Sequence, residues 1–263
     1  MPEVAVPALS RPAPMRVPRA YASLFEQATT DSFVVGDLEV RTHVWTGPAP
    51  VLCVHGANGS ATQFGALIEC LRGAGRGVMA VDIPSHDPNG RFIPSRYIWE
   101  ALVGMQRYAT PAAVVAHSMA CGWAMKALNA GLPARQLVCL SPAATQDYVF
   151  KRFLELQQAQ GLTFDDLAEE IDQAFGSTWR QAYSPIELCK TLTQSVLIHH
   201  DEDDPVIELD AGGKVLHDAW PLSRYLQTQG LGHAGVFRNR PLLECLVAFL
   251  ADSMTDRSQG VIQ

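Results

Sequence analysis

The chain has no apolar run approaching the ~20 residues needed to span a bilayer, which argues against a membrane-spanning helix. It has no internal repeat, and no low-complexity tract beyond its N-terminus. Positive charge is not in excess: 20 Lys and Arg against 27 Asp and Glu give a formal charge of −7. Basic residues spread along an acidic chain do not make the footprint of a nucleic-acid or membrane-surface binder. No paired CxxC occurs among Cys53, Cys70, Cys121, Cys139, Cys189 and Cys245, which lie mostly within apolar runs. They read as small buried hydrophobes in a reducing, cytoplasmic setting, with no disulfide framework. The opening stretch MPEVAVPALSRPAPMRVPRA holds five prolines and three arginines but no apolar h-region. It reads as a loose tail over residues 1–20 and not as a secretory signal.

What remains is a chain of 263 residues, 48% hydrophobic and 18% charged, able to bury a substantial core. Ser32–Trp45 reads as a hairpin around Gly36-Asp37. Beyond it, short apolar runs alternate with helical patterns. Val51–Val54, Val78–Ile83, Ala112–His117, Gln136–Leu140, Ser195–His200 and Arg224–Gln229 are expected strands. Helices are expected near Ala61–Arg72, Ser95–Tyr108, Met119–Ala130 (ending at Gly131) and Pro241–Ala251. Strands without polar alternation are buried on both faces, so a mostly parallel eight-stranded sheet covered by helices is expected. Between the strands ending at Leu140 and starting at Ser195, Gln146–Gln194 shows helical spacing only, at Phe150, Phe153 and Leu154 and again at Phe164, Leu167, Ile171 and Phe175. It is expected to form a helical lid inserted into a core of residues 21–145 and 195–263, or else an enlarged crossover.

The candidate chemistry sits at strand ends. Ala116-His117-Ser118-Met119-Ala120 lies where a strand turns into a helix, the place where a serine is held strained and exposed above a sheet edge. A buried strand followed by an N-cap serine would look much the same. His55-Gly56-Ala57-Asn58-Gly59 follows an earlier strand, where a glycine-rich loop brings a backbone N–H to a reacting centre. The expected oxyanion donors are the N–H groups of Ala57 and Met119. A serine needs a base, itself oriented by a carboxylate. Asp201, Asp203 and Asp204 follow one late strand, and His233 lies in the Gly230-Leu-Gly-His loop after the last. The order Ser118, Asp204, His233 is that of one serine-hydrolase architecture and not of the other two common ones.

On these motifs the chain resembles the α/β-hydrolase fold family from about Ser32 onward. VLCVHGANG looks like its oxyanion strand, VMAVDIPSHD like its D-x-P-G-H segment and VVAHSMA like its nucleophile elbow. LIHHDEDDPVI looks like its H-G-x-x-D-x-x-V acid strand and GLGH like its histidine loop. The resemblance puts Asp204 on the catalytic acid and Asp201 on a family glycine, with Asp201 or Asp203 as substitutes. Ala116 and Ala120 stand for both elbow glycines, and Ser85 for a glycine after Asp82-Ile83-Pro84. The implied activity is hydrolysis of small to medium carboxylic esters, with no cofactor, no metal, a small-molecule substrate, and no nucleic-acid or membrane partner. Asn58, Phe150, Phe153, Trp179 and Tyr183 are expected to line the pocket. The same triad also serves C–C or thioester cleavage, acyl transfer and lyase chemistry, and the fold alone also suits a catalytically silent binding protein. Among the other histidines, His55 is expected to order the oxyanion loop. His117, His43 and His217 are expected to be structural or exposed, with His86 unassigned. His199 and His200, adjacent on a strand, point to opposite faces and are not expected to share a metal.

Overall fold

The computed structural model of the chain describes residues 17–84, 93–156, 163, 165, 171–172 and 176–252. The apolar runs form eight strands: β1 (Thr29–Val35), β2 (Leu38–Trp45), β3 (Val51–Val54), β4 (Val78–Asp82), β5 (Ala113–His117), β6 (Gln136–Leu140), β7 (Ser195–Asp201) and β8 (Arg224–Thr228). They make one sheet in the order β1-β2-β4-β3-β5-β6-β7-β8. The β1–β2 and β2–β4 pairs are antiparallel and the rest parallel. Gly36, at φ +58°, lets the chain turn back between Val35 and Leu38.

The helices are α1 (Ala22–Glu26), α2 (Gly65–Gly73), α3 (Ser95–Gly104), α4 (Ala120–Asn129), α5 (Gln146–Leu156), α6 (Trp179–Ala182), α7 (Pro185–Leu188), α8 (Gly213–Ala219) and α9 (Arg240–Asp252). Burial of the strands on both faces follows from residue alternation. Leu52, Val54, Val114, Ala116, Leu137 and Cys139 join a core with Ile98, Leu102, Trp123 and Leu216, from α3, α4 and α8. Val51, Cys53, Ala113, Val115, Val138 and Leu140 join a second core with Leu67 and Leu71 of α2 and Leu243, Leu246 and Leu250 of α9. The runs Val51–Val54, Ala113–Ala116 and Leu137–Leu140 are thus apolar at every position because both faces of their strands are covered.

Three local readings change. Residues 61–64 form a 3-10 turn, so α2 begins at Gly65. α8, with two glycines at its start, has no counterpart in the expected helices. Val17, within the stretch expected as a tail, lies against the second core, and residues 1–16 lie outside the described residues. In the accessory segment, Phe150 and Trp179 meet edge to face with centroids 5.1 Å apart, and both are buried with Ile171 and Tyr183 in a small separate core. Phe150 and Trp179, two of the aromatics expected on a pocket wall, thus pack α5 against α6. Phe153's side chain, Phe164, Leu167, Phe175, Ser85 and His86 lie outside the described residues. No described helix is long and apolar enough to cross a membrane.

Candidate active site

β3 and β5 are parallel neighbours, with Val54 opposite Ala116. From β3 the chain crosses to β4 on one side and then to β5 on the other, so the strand order reverses here. Ligands of open α/β sheets bind at such a point, beyond the carboxyl ends of the strands. The His55–Gly59 loop and Ser118 therefore emerge side by side. Ser118 has φ +56°, in the left-handed region that a non-glycine residue adopts only when its surroundings enforce it. Two contacts do so: its N–H donates to Leu140 O at 2.8 Å, and Cys121 N–H donates back to Ser118 O at 3.1 Å to start α4. Ala116 and Ala120 are fully buried on either side, so the turn accommodates methyl groups where glycines were expected. Ser118 itself is half-buried.

Gly56 is the glycine this arrangement requires. A Cβ there would lie 2.9 Å from Ser118 Cβ and 3.1 Å from His117 O. Neither neighbour can yield without disturbing the strained turn. Gly56→Ala is expected to lower kcat by about 100-fold through displacement of the loop or the serine, with the circular dichroism spectrum unchanged. Wild-type turnover in this variant would show that the two loops do not need this close approach. His55 holds the same loop, its Nδ1–H donating to Gly56 O at 2.7 Å while Nε2 accepts from Ile83 N–H at 3.0 Å. Asp82 pins the far end by accepting Ala61 N–H at 2.7 Å, and its other oxygen meets buried His43 at 2.9 Å. Ala57 and Asn58 are exposed at the loop tip, Asn58 with φ +55°. Among the described residues, no hydrogen bond takes up the N–H of Ala57 or Met119.

The three candidate aspartates at the end of β7, Asp201, Asp203 and Asp204, have separate partners. Asp204 is buried, and its Oδ2 accepts from His233 Nδ1 at 2.8 Å. Its Oδ1 accepts the N–H groups of Val206 at 2.8 Å and Ile207 at 3.0 Å. Burial pushes this carboxyl up, but the His233 contact and the two N–H groups outweigh it and hold it below the usual carboxylate range. An ionised Asp204 accepts the hydrogen bond of His233 Nδ1–H, which keeps the proton on Nδ1 and leaves the Nε2 lone pair available as a base. Among the described residues, neither Asp201 nor Asp203 makes a hydrogen bond to the imidazole. Asp201 binds the backbone of the 230–232 loop, and Asp203 accepts Gly230 N–H at 3.0 Å.

His117 connects the two halves. Its Nε2–H donates to His233 O at 3.0 Å, and the rings lie 4.6 Å apart, so the histidine loop rests on the residue preceding Ser118. Burial, with the neighbouring His233, lowers its pKa to about 3. His199 reaches Thr228 Oγ1 at 2.9 Å on one face. On the other, His200 accepts Gly213 N–H at Nδ1 and donates from Nε2 to Ile207 O. Among the described residues, no group of three or more His, Cys, Asp or Glu is arranged to hold a metal ion. His217 stacks on Tyr225 and bonds Ser223.

These histidines set the acid sensitivity. Burial depresses His199 to about 4, His117 to about 3 and His200 and His55 below the ordinary imidazole value of 6.5. Below pH 6.5 the unfolded chain binds protons that the folded chain refuses, so stability falls as pH falls. For His199 and His117 the loss runs down to about pH 4 and 3, at roughly 1.4 kcal/mol per pH unit each. The depressed Asp204 adds its loss only below the unfolded carboxylate value of about 3.9. Urea midpoints are expected to drop steadily from pH 6.5 to pH 4, and a flat profile over that range would contradict neutral buried imidazoles.

Comparison with known proteins bears on this geometry. The sequence matches a family model described as the alpha/beta hydrolase family over residues 51–248. No curated protein matches the chain. An esterase from Pyrococcus furiosus superposes with a TM-score of 0.64 at 16% identity, covering 86% of this chain and 90% of that one. A butyrate-bound esterase from Thermogutta terrifontis does so with a TM-score of 0.62 at 15% identity, covering 88% and 94%. A thioesterase domain from the curacin biosynthetic pathway gives 0.59 at 14% identity, covering 86% and 99%. At such identities the likeness is one of fold. The matched model runs from the first residue of β3 into α9, and so takes in both glycine-containing loops, the serine turn and the Asp204–His233 pair: the chain belongs to the alpha/beta hydrolase family.

Proposed function

We propose that the protein is a cofactor-independent serine hydrolase that cleaves small to medium carboxylic esters. The observation that carries the reading is the 2.8 Å contact between His233 Nδ1 and buried Asp204, in the loop that rests on His117 beside the strained Ser118. Ser118 Oγ attacks the ester carbonyl and passes its proton to His233 Nε2. Asp204 stabilises the imidazolium formed. The N–H groups of Ala57 and Met119 take the negative oxygen of the tetrahedral intermediate, and each donor contributes about 3–4 kcal/mol to lowering the barrier. His233 returns the proton to the departing alkoxide, leaving an acyl-enzyme on Ser118. Water then attacks by the same route, with His233 as base, and releases the acid.

The ester assignment is supported by the resemblance of fold to two esterases, while the curacin thioesterase domain shares the same scaffold. Purified protein is therefore to be assayed against aryl esters, acyl thioesters and vinylogous diketones. Highest kcat/KM is expected on short aryl esters. A clear preference for either other class would transfer the same triad to that chemistry and overturn the ester reading.

A further inference from the structure

Asp201 occupies the position where the resemblance expects glycine, and its carboxylate is buried and fully engaged. Oδ1 accepts Asp203 N–H at 3.1 Å and Gly232 N–H at 2.8 Å. Oδ2 accepts Thr228 Oγ1–H at 2.7 Å and Leu231 N–H at 3.0 Å. Because Thr228 Oγ1 gives its proton to Asp201, it accepts from His199 Nε2–H at 2.9 Å, so the chain of bonds has one direction. One carboxylate thus joins the loop carrying Asp204 to the loop carrying His233. Gly232, the residue immediately before His233, needs such a hold because it sits at φ +63°, a conformation glycine visits freely in the unfolded chain.

We infer that Asp201 is a positioning residue: it clamps the 230–232 loop to the end of β7 so that His233 Nδ1 stays on Asp204. The inference rests on the hydrolase reading for its catalytic consequence, but the contact it protects can be observed without turnover. The carboxylate is needed because all four partners are donors. In Asp201→Asn the amide NH2 must replace one oxygen. At either site it then faces a backbone N–H, of Gly232 and Asp203 or of Leu231. A buried donor is left unpaired whichever way the amide flips.

The test is the proton NMR signal of the His233 Nδ1–H, recorded on the full chain and assigned by its absence in His233→Ala. Wild type and Glu202→Gln, which removes an exposed carboxylate of the same loop, are expected to show it; Asp201→Asn is expected to lose it to solvent exchange. In parallel, kcat on an aryl ester should fall about 10–100-fold in Asp201→Asn, with KM within about twofold. Should Asp201→Asn not fold, Asp201→Gly, where water can reach the freed N–H groups, is expected to give the same loss. A retained signal with unchanged kcat overturns the clamp, as does a wild type without the signal. If neither variant folds, Asp201 belongs to the fold's framework and the positioning role is overturned. A wild type that shows the signal yet turns over no ester counts against the hydrolase reading alone, and the Asp201→Asn spectrum then decides the clamp.

Discussion

Ser118→Ala is expected to lower kcat on an aryl ester by about 10⁶-fold, the magnitude found when a triad nucleophile is removed from subtilisin. The effect is this large because no other described residue near the turn can take over. Among the described residues Ser118 alone combines a hydroxyl, a left-handed backbone and partial exposure at the end of a central strand, whereas Ser141, at φ +46° after β6, is fully buried. Stability should barely change, since the fold does not use the hydroxyl that alanine lacks: among the described residues the Ser118 side chain makes no hydrogen bond. Replacing a left-handed serine by alanine leaves the backbone demand as it was. Stopped turnover with an unchanged melting temperature is the expected pair of results. A residual rate above about one per cent would show that another group is the nucleophile.

The second large effect is expected at the acid. Asp204→Asn should lower kcat by about 10⁴-fold while leaving the fold intact. The direction follows from the hydrogen-bond partners. Oδ1 accepts two backbone N–H groups, from Val206 and Ile207, so the amide must keep its oxygen there and turn its NH2 toward His233. The imidazole then presents a lone pair at Nδ1 and carries its proton on Nε2, where it can no longer act as a base. His200 does not restore the charge. Its Nε2 lies 3.5 Å from Asp204 Oδ2, but its proton goes to Ile207 O and burial disfavours its charged form. Steady-state kinetics on an aryl ester measures the loss, and a drop of less than about tenfold would place the essential acid elsewhere. Asp201→Asn, by contrast, is expected to cost only about 10–100-fold, so the two variants separate the acid from the clamp.

Much of the scaffold was legible because burial on both faces leaves a simple mark: Val51–Val54, Val114–Ala116 and Leu137–Leu140 are apolar without interruption. The candidates Ser118, Asp204 and His233 stood out for a different reason: each lies just beyond the end of a strand and carries a group that few residue types supply. What the sequence hid depends on contacts between distant segments. α8 begins at Gly213 behind Gly212, two glycines that speak against a helix until His200 is seen packed on them, accepting the Gly213 N–H. Asp201 looked like a substitute acid because a carboxylate after a strand can face either loop. Only the turn geometry aims Asp204 at the imidazole and Asp201 at the backbone. Phe150 and Trp179, 29 positions apart, carried no sign that each is the other's packing partner. The elbow alanines, the least regular part of the motif, are tolerated because Ala116 and Ala120 bury their methyl groups in the core and leave the serine turn free.

Activated attack by the hydroxyl at position 118 is most directly tested by treating the native protein with a fluorophosphonate and mapping the adduct by mass spectrometry. The account predicts one adduct, on Ser118, formed far more slowly in Asp204→Asn and His233→Ala and absent in Ser118→Ala. An unmodified wild-type protein, or an adduct that persists after Ser118→Ala, would contradict it.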